Sequence, residues 1–401
     1  YDFCISNMLS NYNNMKKKIA ILGSTGSIGK TLINIIKKDK KNFEIFLLSA
    51  DENYKELMKQ AKLFKVNNLI ITNKDSYKKI KAKKISNKTK IFNNFESFNK
   101  IFKRKIDYTM SSISGIEGLK PTIEIIKYTK NIAIANKEAI ICGWSLISNE
   151  LKKNKTNFIP VDSEHFSIWY ALKGIDKKII EKIYLTASGG PFLNYPMKKF
   201  YKIKMSQAVN HPNWKMGKKI SVDSATMMNK VFEIIEAKKI FDIPYQKLSI
   251  IIHPKSYVHA ILKFKNGLTK IIVHDTNMKI PIFNSLYSSN QKINSKNLDL
   301  DILNNLNFQD IDPKRFPIIR ILGNLPEKSS LFETVLVSMN DKLVKLFLAN
   351  RIKFTDISKK MNKMLELNEF KKFKKLRLNK VDDIMSLNNK IKTKLNNLIN
   401  D

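Results

Sequence analysis

The chain is poor in cysteine: its 401 residues contain only Cys4 and Cys142, which form no CxxC pair. Two cysteines allow at most one disulfide, so the sequence lacks the framework of a small secreted domain and favours a reducing compartment. We expect a bacterial cytoplasm, with an organelle as the open alternative. No apolar run approaches the roughly 18 residues that a membrane-spanning helix needs, so we expect no membrane partner.

Acidic residues are also few, with 35 Asp and Glu against 73 Lys and Arg, which gives a net charge of +38. Such a charge can indicate nucleic acid or another polyanion as a partner. The lysines, however, are spread through almost every segment and accompany an excess of Ile and Asn, as an AT-rich genome produces. No RGG tract, zinc-finger spacing or RNP pattern occurs. We therefore expect no nucleic-acid partner and assign the charge at most a role in capturing an anionic small substrate.

The first fourteen residues lack an initiator Met and the apolar region of a signal peptide. We expect residues 1–14 to be a disordered leader, a tag remnant or a translation artefact, with Met15 as a natural start.

Glycine is sparse, with 12 residues in all, yet three of them fall in GSTGSIG at 23–29. This motif follows a short apolar run and precedes residues at helical spacing, 31–36. Small residues let backbone N–H groups approach a pyrophosphate, and the helix N-terminus adds partial positive charge. The spacing is GxxGxxG, and the overlapping 24–31 segment differs from a P-loop by Ser24 at the first glycine. We prefer a dinucleotide cradle and keep a P-loop as the alternative.

Alternating strand and helix signals continue after this turn. Strands are predicted at 43–50, 68–72 and 107–111, with a helix at 54–65, which indicates an α/β fold with a Rossmann-like, doubly wound parallel sheet to about residue 150. The second strand ends at Asp51 and Glu52. An acid there ordinarily bonds the ribose 2′-hydroxyl and disfavours a 2′-phosphate, so this position favours NADH.

Polar residues follow two further predicted strands, where an α/β crevice binds ligands. Lys137 follows the first, either to contact a substrate or as a solvated lysine. If Asp162 and Glu164 end the second strand, their period of two places both carboxylates on one side. Converging carboxylates need a proton or a cation, and oxygen ligands suit Mg²⁺ or Mn²⁺. The alternative is that both cap the next helix; His165 is expected to support the site rather than ligate.

The segment 184–192 predicts a strand and a tight turn, in which Ser188 and two glycines form an anion nest or a plain turn. The stretch 211–230 reads HPNWKMGKKISVDSATMMNK. We predict a helix over 223–241, with Asp223 or Ser224 near its N-cap. Two sets follow from this helix and the loop before it: a shared face (Asn229, Glu233 and Glu236, flanked by Lys230) and a row of phosphate-type donors (His211, Lys218, Lys219 and Ser224).

The rest of the chain carries less chemistry. The strand-like runs 248–253 and 257–264 predict a mixed or antiparallel sheet, and His253, His259 and His274 are expected to be structural. Residues 298–317 are typical of a linker, and 326–401 predict helices.

Five motifs in this order closely resemble the 1-deoxy-D-xylulose 5-phosphate reductoisomerase family of non-mevalonate isoprenoid enzymes. They are GSTGSIG (23–29), ANKE (135–138), VDSEH (161–165), SGGPF (188–192) and the stretch 211–230. The resemblance runs from about Met15 to the end and thins over the last hundred residues. It implies isomerisation of 1-deoxy-D-xylulose 5-phosphate and reduction by NADPH to 2-C-methyl-D-erythritol 4-phosphate.

The resemblance also implies roles for individual residues. The catalytic residues are Lys137, Asp162, Glu164 and Glu233, of which the three carboxylates hold Mg²⁺ or Mn²⁺. The substrate contacts are Lys137, Ser163, Glu164, Ser188, His211, Trp214, Ser224, Asn229, Lys230 and Glu233. The cofactor contacts are Gly23, Thr25, Gly26, Ser27, Ile28, Asn53, Asn136, Glu138, Met216 and Gly217. Trp214 and Met216 belong to a mobile flap over the substrate.

The implied architecture is a homodimer with several domains in each chain. They are a dinucleotide-binding domain (15–150), a catalytic metal- and substrate-binding domain (151–290), a linker (291–317) and a C-terminal helical domain (318–401). The sequence departs from the family at three places: Asp51 and Glu52 replace a glycine and a basic residue, Val231 replaces a glycine, and 337–341 differ.

Two rival functions remain to be weighed. A semialdehyde-type dehydrogenase would need a cysteine nucleophile, and Cys142 lies outside any His-paired motif. A P-loop ATPase or nucleic-acid-binding protein would leave VDSEH, SGGPF and the central stretch unexplained.

Overall fold

The computed structural model describes residues 16–83, 85–287 and 291–400. Cys4 and the leader predicted at 1–14 lie outside these residues. The described chain divides into two compact units. Unit 1 runs to Asn136 and adds Ser148–Val161 and Pro281–Gln291, whereas unit 2 comprises Lys137–Ile147, Asp162–Ile280 and the chain from Lys292.

Unit 1 is built on a seven-stranded sheet in which every neighbouring pair of strands is parallel. The spatial order is β4-β3-β2-β1-β5-β6-β7. The strands are β1 (Lys17–Leu22), β2 (Phe43–Ala50), β3 (Asn68–Ile71), β4 (Lys90–Phe92), β5 (Ile106–Ser111), β6 (Thr129–Ile134) and β7 (Asn157–Pro160). Their nearly continuous apolar sequences suit burial on both faces of a parallel sheet. The predicted doubly wound sheet is confirmed, and β7 carries it past residue 150.

The helices that connect these strands include the one predicted at 54–65, a helix that begins four residues before the predicted run 31–36, and four that were not predicted from sequence. They are α1 (Ser27–Lys37), α2 (Tyr54–Phe64), α3 (Lys74–Lys81), α4 (Phe98–Ile101), α5 (Leu119–Ile126) and α6 (Lys137–Lys153), the last of which continues from unit 2. Helix α2 is capped by Asn53, whose side chain accepts from the Glu56 N–H at 3.1 Å.

Unit 2 contains a four-stranded mixed sheet in the order β11-β10-β8-β9. The strands are β8 (Ile180–Ala187), β9 (Leu248–Ile252), β10 (Val258–Phe264) and β11 (Thr269–Val273). Strand β8 pairs parallel with β9 and antiparallel with β10, so the predicted mixed sheet is confirmed. Helices α7 (Ser163–Ala171) and α10 (Met228–Phe241) pack on it through a core that includes Ile168, Leu185, Ile234, Phe241 and Leu262.

The remaining helices are mostly short until the C-terminal region. They are α8 (Met205–Ala208), α9 (Lys218–Thr226), α11 (Lys279–Leu286), α12 (Leu300–Asn304), α13 (Phe332–Leu348), α14 (Phe354–Leu365), α15 (Asn368–Lys371) and α16 (Val381–Asn400). Helix α12 interrupts the segment predicted as a linker, whereas the helical prediction for 326–401 is confirmed. Among the described helices, none is both long and apolar enough to cross a membrane.

Candidate active site

The central stretch forms two helices rather than the one predicted over 223–241. Helix α9 ends at Thr226, Met227 adopts a left-handed conformation with φ of 69°, and α10 begins at Met228. Asp223 and Ser224 therefore lie inside α9 and do not cap α10. The predicted helix was wrong because its apolar periodicity continues across the break, and methionine gives no local signal of positive φ.

Three carboxylates meet at the start of α7 and on α10. Asp162 is the N-cap residue of α7 and Glu164 lies in its first turn, so both residues stand at a helix start, as in the alternative kept from sequence, although the Asp162 side chain makes no capping hydrogen bond. Their placement at the end of a strand was wrong. Glu233 comes from α10 and is buried. One oxygen from each carboxylate lies within 4.8 Å of the other two. A helix start thus brings the groups together where we expected strand alternation to do so.

Two buried lysines lie among these carboxylates. Lys137 Nζ is 2.9 Å from Asp162 Oδ2 and 3.2 Å from Glu233 Oε1. Lys230 Nζ is 2.6 Å from Glu164 Oε1 and 2.5 Å from Glu233 Oε2. The Lys137 side chain is 10% exposed and that of Lys230 5%, so neither is a solvated surface lysine. Each charge is paired, as burial requires.

The amide and hydroxyl groups nearby complete this network. Asn229 accepts from Lys137 Nζ at 2.6 Å and donates from Nδ2 to Glu233. Ser163 donates to Glu164 Oε2 at 2.5 Å. The predicted shared face of Asn229 and Glu233 on α10 is therefore confirmed.

Burial and paired charges shift the protonation equilibria in opposite directions. Burial by itself would raise the pKa of Asp162, but the charge of Lys137 outweighs it and holds the pKa well below its usual value. Burial and the charge of Glu233 raise the pKa of Glu164 to about 7. Burial lowers the pKa of Lys137, yet Asp162 and Glu233 outweigh it and keep the ammonium charged. The cluster holds more acidic than basic groups, which favours an additional cation.

His165 is buried next to the carboxylate cluster and contacts two of its members. Its Nε2 lies 2.9 Å from the backbone oxygen of Glu233, and its Nδ1 lies 3.7 Å from Asp162 Oδ1 and 3.6 Å from Glu236 Oε2. A carbonyl oxygen only accepts, so Nε2 carries a proton. Burial would lower the pKa of His165, but the Glu236 and Asp162 carboxylates outweigh it and raise the pKa to about 9. The Nδ1 nitrogen faces Asp162 at a distance too long for a hydrogen bond, so charge attraction links the ring to this carboxylate, and the supporting role expected of His165 stays a prediction.

The donor set of Asp162, Glu164 and Glu233 fits a divalent metal. All three offer carboxylate oxygens, the ligands that Mg²⁺ and Mn²⁺ prefer. Lys137 and Lys230 place their Nζ atoms between the same oxygens, in positions where a cation is favourable. A second group, Asp162, His165 and Glu236, also offers ligand atoms within 4.8 Å of one another. The pKa of His165, raised to about 9, keeps both ring nitrogens protonated at neutral pH, so the Nδ1 that faces these carboxylates offers no lone pair to a metal.

A second polar group forms beside the cluster at the end of β8. Gly189 and Gly190 have φ of 80° and 66°, so the predicted tight turn is confirmed. A Cβ on Gly190 would lie 3.1 Å from the Ser224 carbonyl oxygen, so the turn packs closely on α9. Ser188 Oγ accepts the Gly190 N–H at 3.0 Å and lies 3.0 Å from His211 Nε2. Ser188 and His211 thus lie together, as predicted.

The tautomer of His211 follows from its partners. Its Nδ1 accepts the backbone N–H groups of Asn213 and Trp214 at 3.1 and 3.0 Å, so Nε2 carries the proton and donates to Ser188. Burial and the charge of Lys230 lower the pKa of His211 to about 4. Because Ser188 already accepts two hydrogen bonds, its own proton is free to be donated to a ligand.

Trp214 lies on the loop before α9. Its ring packs edge-on against His259 at 6.0 Å, and His259 stacks on His274 at 3.6 Å. His259 is buried and His274 half-buried, and their packing against the loop is consistent with the structural role expected of them. Met216 and Gly217 follow Trp214, and Gly217 is the N-cap residue of α9.

Lys219 does not face a phosphate site, contrary to our prediction. Its Nζ lies 2.6 Å from Glu138 Oε1, 2.9 Å from Asp341 Oδ1 and 3.2 Å from Asp223 Oδ2. It therefore joins α6, α9 and α13. This junction was not predictable from local sequence, because Glu138 lies 81 residues from Lys219. Lys218 is exposed.

The glycine turn lies wholly in unit 1 and connects β1 to α1. Gly23 has φ of 80°, and a Cβ on Gly29 would lie 2.5 Å from the Gly23 oxygen. The turn therefore admits no side chain at Gly29 and packs closely on α1, which begins at Ser27 and whose N-terminus can bind a phosphate. Thr25, Gly26 and Ile28 complete this segment. The turn fits the diphosphate of a dinucleotide.

Three other residues predicted to contact the cofactor have polar partners within the protein. Asn53 caps α2, Asn136 donates to the Gly115 oxygen at 2.9 Å, and Glu138 pairs with Lys219. Their assignment to the cofactor stays a prediction.

Glu236 is the residue whose role we did not anticipate from sequence. It was placed on the Glu233 face without a function, and the structure directs it at His165. A carboxylate three positions after Glu233 and a histidine next to Glu164 are the signals that could have paired them.

Comparison with known proteins places these observations in a family. Sequence models described as 1-deoxy-D-xylulose 5-phosphate reductoisomerase and as two C-terminal domains of the same enzyme match residues 19–143, 158–241 and 274–394. The reductoisomerase of Pelagibacter ubique is 60% identical over 95% of this chain and 99% of its own length. That of a Sulfurihydrogenibium species is 38% identical over 92% of this chain and 94% of its own.

Solved structures agree over nearly the full length. The Zymomonas mobilis reductoisomerase in complex with NADPH gives a TM-score of 0.86 at 27% identity, covering 96% of this chain and 99% of that one. A reductoisomerase complex with NADPH, fosmidomycin and magnesium gives 0.86 at 30% identity, covering 96% and 98%.

Proposed function

The chain belongs to the 1-deoxy-D-xylulose 5-phosphate reductoisomerase family, and from that premise we propose how its own residues perform the family's reaction. It is an enzyme that isomerises 1-deoxy-D-xylulose 5-phosphate and reduces the product to 2-C-methyl-D-erythritol 4-phosphate. NADPH is the reductant, in keeping with the complexes solved for relatives.

The observation that carries the site assignment is the convergence of Asp162, Glu164 and Glu233 around two buried lysines. These carboxylates would hold the divalent metal. When bound, the metal supplies Lewis acidity for oxygens that gain negative charge during the rearrangement. Relatives have been solved with magnesium, and the all-oxygen donor set suits manganese equally.

Lys137, Asn229 and Ser163 are proposed to orient the reacting carbon backbone. The Lys137 ammonium stays charged and donates to Asn229, so its position is fixed before substrate arrives. A preset positive charge and aligned donors lower the reorganisation needed as charge develops on substrate oxygens.

The phosphate is proposed to bind at the Ser188 turn, with Ser224, Asn229 and Lys230 as further contacts. Support comes from the free Ser188 proton, which is available because His211 and Gly190 already donate to its oxygen. Holding a remote phosphate lets binding energy orient the reacting end.

Trp214 and Met216 are proposed to cover the substrate and to exclude water from the aldehyde intermediate. The support is the packing of Trp214 on His259, which gives the loop a docked position within unit 2.

We also propose a homodimer. Strand β11 is an edge of the four-stranded sheet, with Leu268 and Ile271 nearby at 66% and 44% exposure. An exposed apolar edge strand is a pairing surface that proteins ordinarily protect. The domain boundaries predicted from sequence are retained as part of the proposal. So is a bacterial cytoplasmic location, which rests on the bacterial relatives.

The experiment is a nicotinamide absorbance assay with deoxyxylulose phosphate and Mg²⁺ or Mn²⁺. NADPH and NADH are run side by side, and a chelator control is included. We expect oxidation that needs both substrate and metal. No oxidation by a folded, metal-loaded protein would overturn the proposal and direct attention to Val231, which is fully buried in α10.

A further inference from the structure

The loop after β2 carries two carboxylates beside the glycine turn, both within unit 1. Asp51 and Glu52 are exposed and directly follow the last residue of β2. Strand β2 is the neighbour of β1, which leads into the turn. Ser49 bonds the turn directly: its carbonyl accepts the Ser24 N–H at 2.8 Å and its hydroxyl accepts the Gly23 N–H at 3.0 Å. Asp51 and Glu52 therefore follow Ser49, the residue that bonds the proposed pyrophosphate turn, by two and three residues.

Neighbouring residues hold this loop in place. Thr72 donates from its hydroxyl to Asp51 Oδ1 at 2.7 Å, and Ser76 donates to the Glu52 backbone oxygen at 2.8 Å. Asn53 then caps α2. The Asp51 carboxylate is thus oriented, and only one of its oxygens is accounted for by Thr72.

The charge of the residues at the end of β2 determines whether the loop favours a ribose with a free 2′-hydroxyl, as in NADH, or one with a 2′-phosphate, as in NADPH. In a Rossmann-type unit, an acid at the end of the second strand accepts a hydrogen bond from the ribose 2′-hydroxyl. A 2′-phosphate replaces that donor with about two negative charges, which repel a carboxylate and ordinarily require an arginine or lysine. The two residues that directly follow β2, Asp51 and Glu52, carry negative charge instead of the positive charge that a 2′-phosphate requires. The diphosphate end of the site fits NADPH, and the 2′-phosphate end does not.

We infer that Asp51 and Glu52 determine the cofactor selectivity of this chain, and that it binds NADH at least as tightly as NADPH. The inference rests on the proposed function for the identity of the cofactor site. The overall charge of +38 attracts the phosphates of both cofactors, so the ratio of the two affinities, rather than either alone, reports on this loop.

The test is equilibrium binding of NADH and NADPH without substrate, followed by nicotinamide fluorescence. Adenosine 2′,5′-bisphosphate and 5′-AMP serve as fragment probes that contain no nicotinamide. We expect wild type to bind NADH with a Kd no higher than that for NADPH, and Glu52→Lys to shift the ratio at least about tenfold toward NADPH. Asp51→Gly should shift the ratio in the same direction.

Glu44→Lys is the matched control. Glu44 is exposed at the opposite end of β2, and the variant makes the same charge change about 25 Å away. The Glu44→Lys ratio should stay within about twofold of wild type, because charges at that distance are screened.

A wild-type preference for NADPH above about threefold would overturn the inference, as would an unchanged ratio in Glu52→Lys. The proposed function is judged separately by turnover of deoxyxylulose phosphate. Turnover together with a strong preference for binding NADPH would contradict the inference about selectivity but not the proposed function. Tight NADH binding without turnover of either cofactor would contradict the proposed function and would still support the inference about selectivity.

Discussion

His165 Nε2 lies 2.9 Å from the backbone carbonyl oxygen of Glu233, so the imidazole is fixed to the helix that supplies a metal-type carboxylate. Its other nitrogen faces Asp162. We predict that His165→Asn weakens Mn²⁺ binding by about tenfold to a hundredfold, because groups that orient metal ligands contribute to affinity on that scale. Electron paramagnetic resonance of free Mn²⁺ would measure this.

His253→Asn provides the comparison, since His253 is a buried histidine at the end of β9 that bonds the Asn307 oxygen instead. Equal Mn²⁺ affinity in the two variants would argue against a positioning role for His165.

Asp162→Asn should reduce turnover by at least about a hundredfold while leaving NADPH binding intact. The change removes one charge from the proposed metal site and leaves the unit 1 glycine turn untouched. Steady-state kinetics with saturating metal, together with cofactor fluorescence, measure the two effects. Asp242→Asn is the control, because Asp242 is exposed and its left-handed conformation suits Asn. Activity of Asp162→Asn within tenfold of wild type would make the metal assignment wrong.

Lys219→Met should lower the free energy of unfolding by about 2 kcal/mol. Removing one partner from a buried charge cluster costs several kcal/mol, and we reduce that figure because the Lys219 side chain is 34% exposed. Urea denaturation measures the loss. Lys218→Met, at an adjacent exposed lysine, should change stability by less than about 0.5 kcal/mol.

The same cluster predicts a pH signature. Burial raises the pKa of Asp341 to about 6, so acid neutralises one of the carboxylates that Lys219 leaves behind. The deficit of Lys219→Met should therefore shrink from pH 8 to pH 5. A deficit that is constant with pH would show that Lys219 acts by packing alone.

His211 is expected to make the folded chain less stable as the pH falls. Its pKa is about 4 in the folded chain against an ordinary 6.5, so the unfolded state binds the proton first. The stability it contributes is complete above pH 6.5 and is lost as pH falls toward 4. Allowing for a partly exposed ring, wild type should lose about 1 kcal/mol more than His211→Gln between pH 7 and pH 5. Chemical denaturation across this range measures the difference, and parallel curves would contradict it.

Local patterns were sufficient for most of the fold. Strand β2 and helix α2 lie within a residue of their predicted bounds, because apolar strands and capped amphipathic helices are determined by neighbours in sequence. The break at Met227 was not foreseeable in this way. Its φ of 69° is maintained by the packing of α9 and α10, which the apolar pattern does not encode.

The site was recovered unevenly for the same reason. Asp162 and Glu164 were predicted to converge, but through strand alternation, whereas a helix start brings them together. The partners of Lys219 come from three helices, so no window of sequence contains the junction. The positive charge of this stretch indicated that its lysines bind an anionic group. Only the tertiary structure shows that Lys219 pairs with carboxylates of the protein whereas Lys218 is exposed.

Strand β8 has a consequence for synthesis of the chain. It is central in its sheet and leads to Ser188, yet both of its partners come much later; the Thr186 hydroxyl, for example, bonds the Val258 oxygen 72 residues on. While the ribosome is still producing that interval, β8 has two unpaired edges and an apolar face. Such nascent species are prone to aggregate, so the phosphate-type turn is acquired only when β9 and β10 arrive. Slow translation between residues 188 and 258 would therefore lower the yield of folded protein more than a pause near the C-terminus.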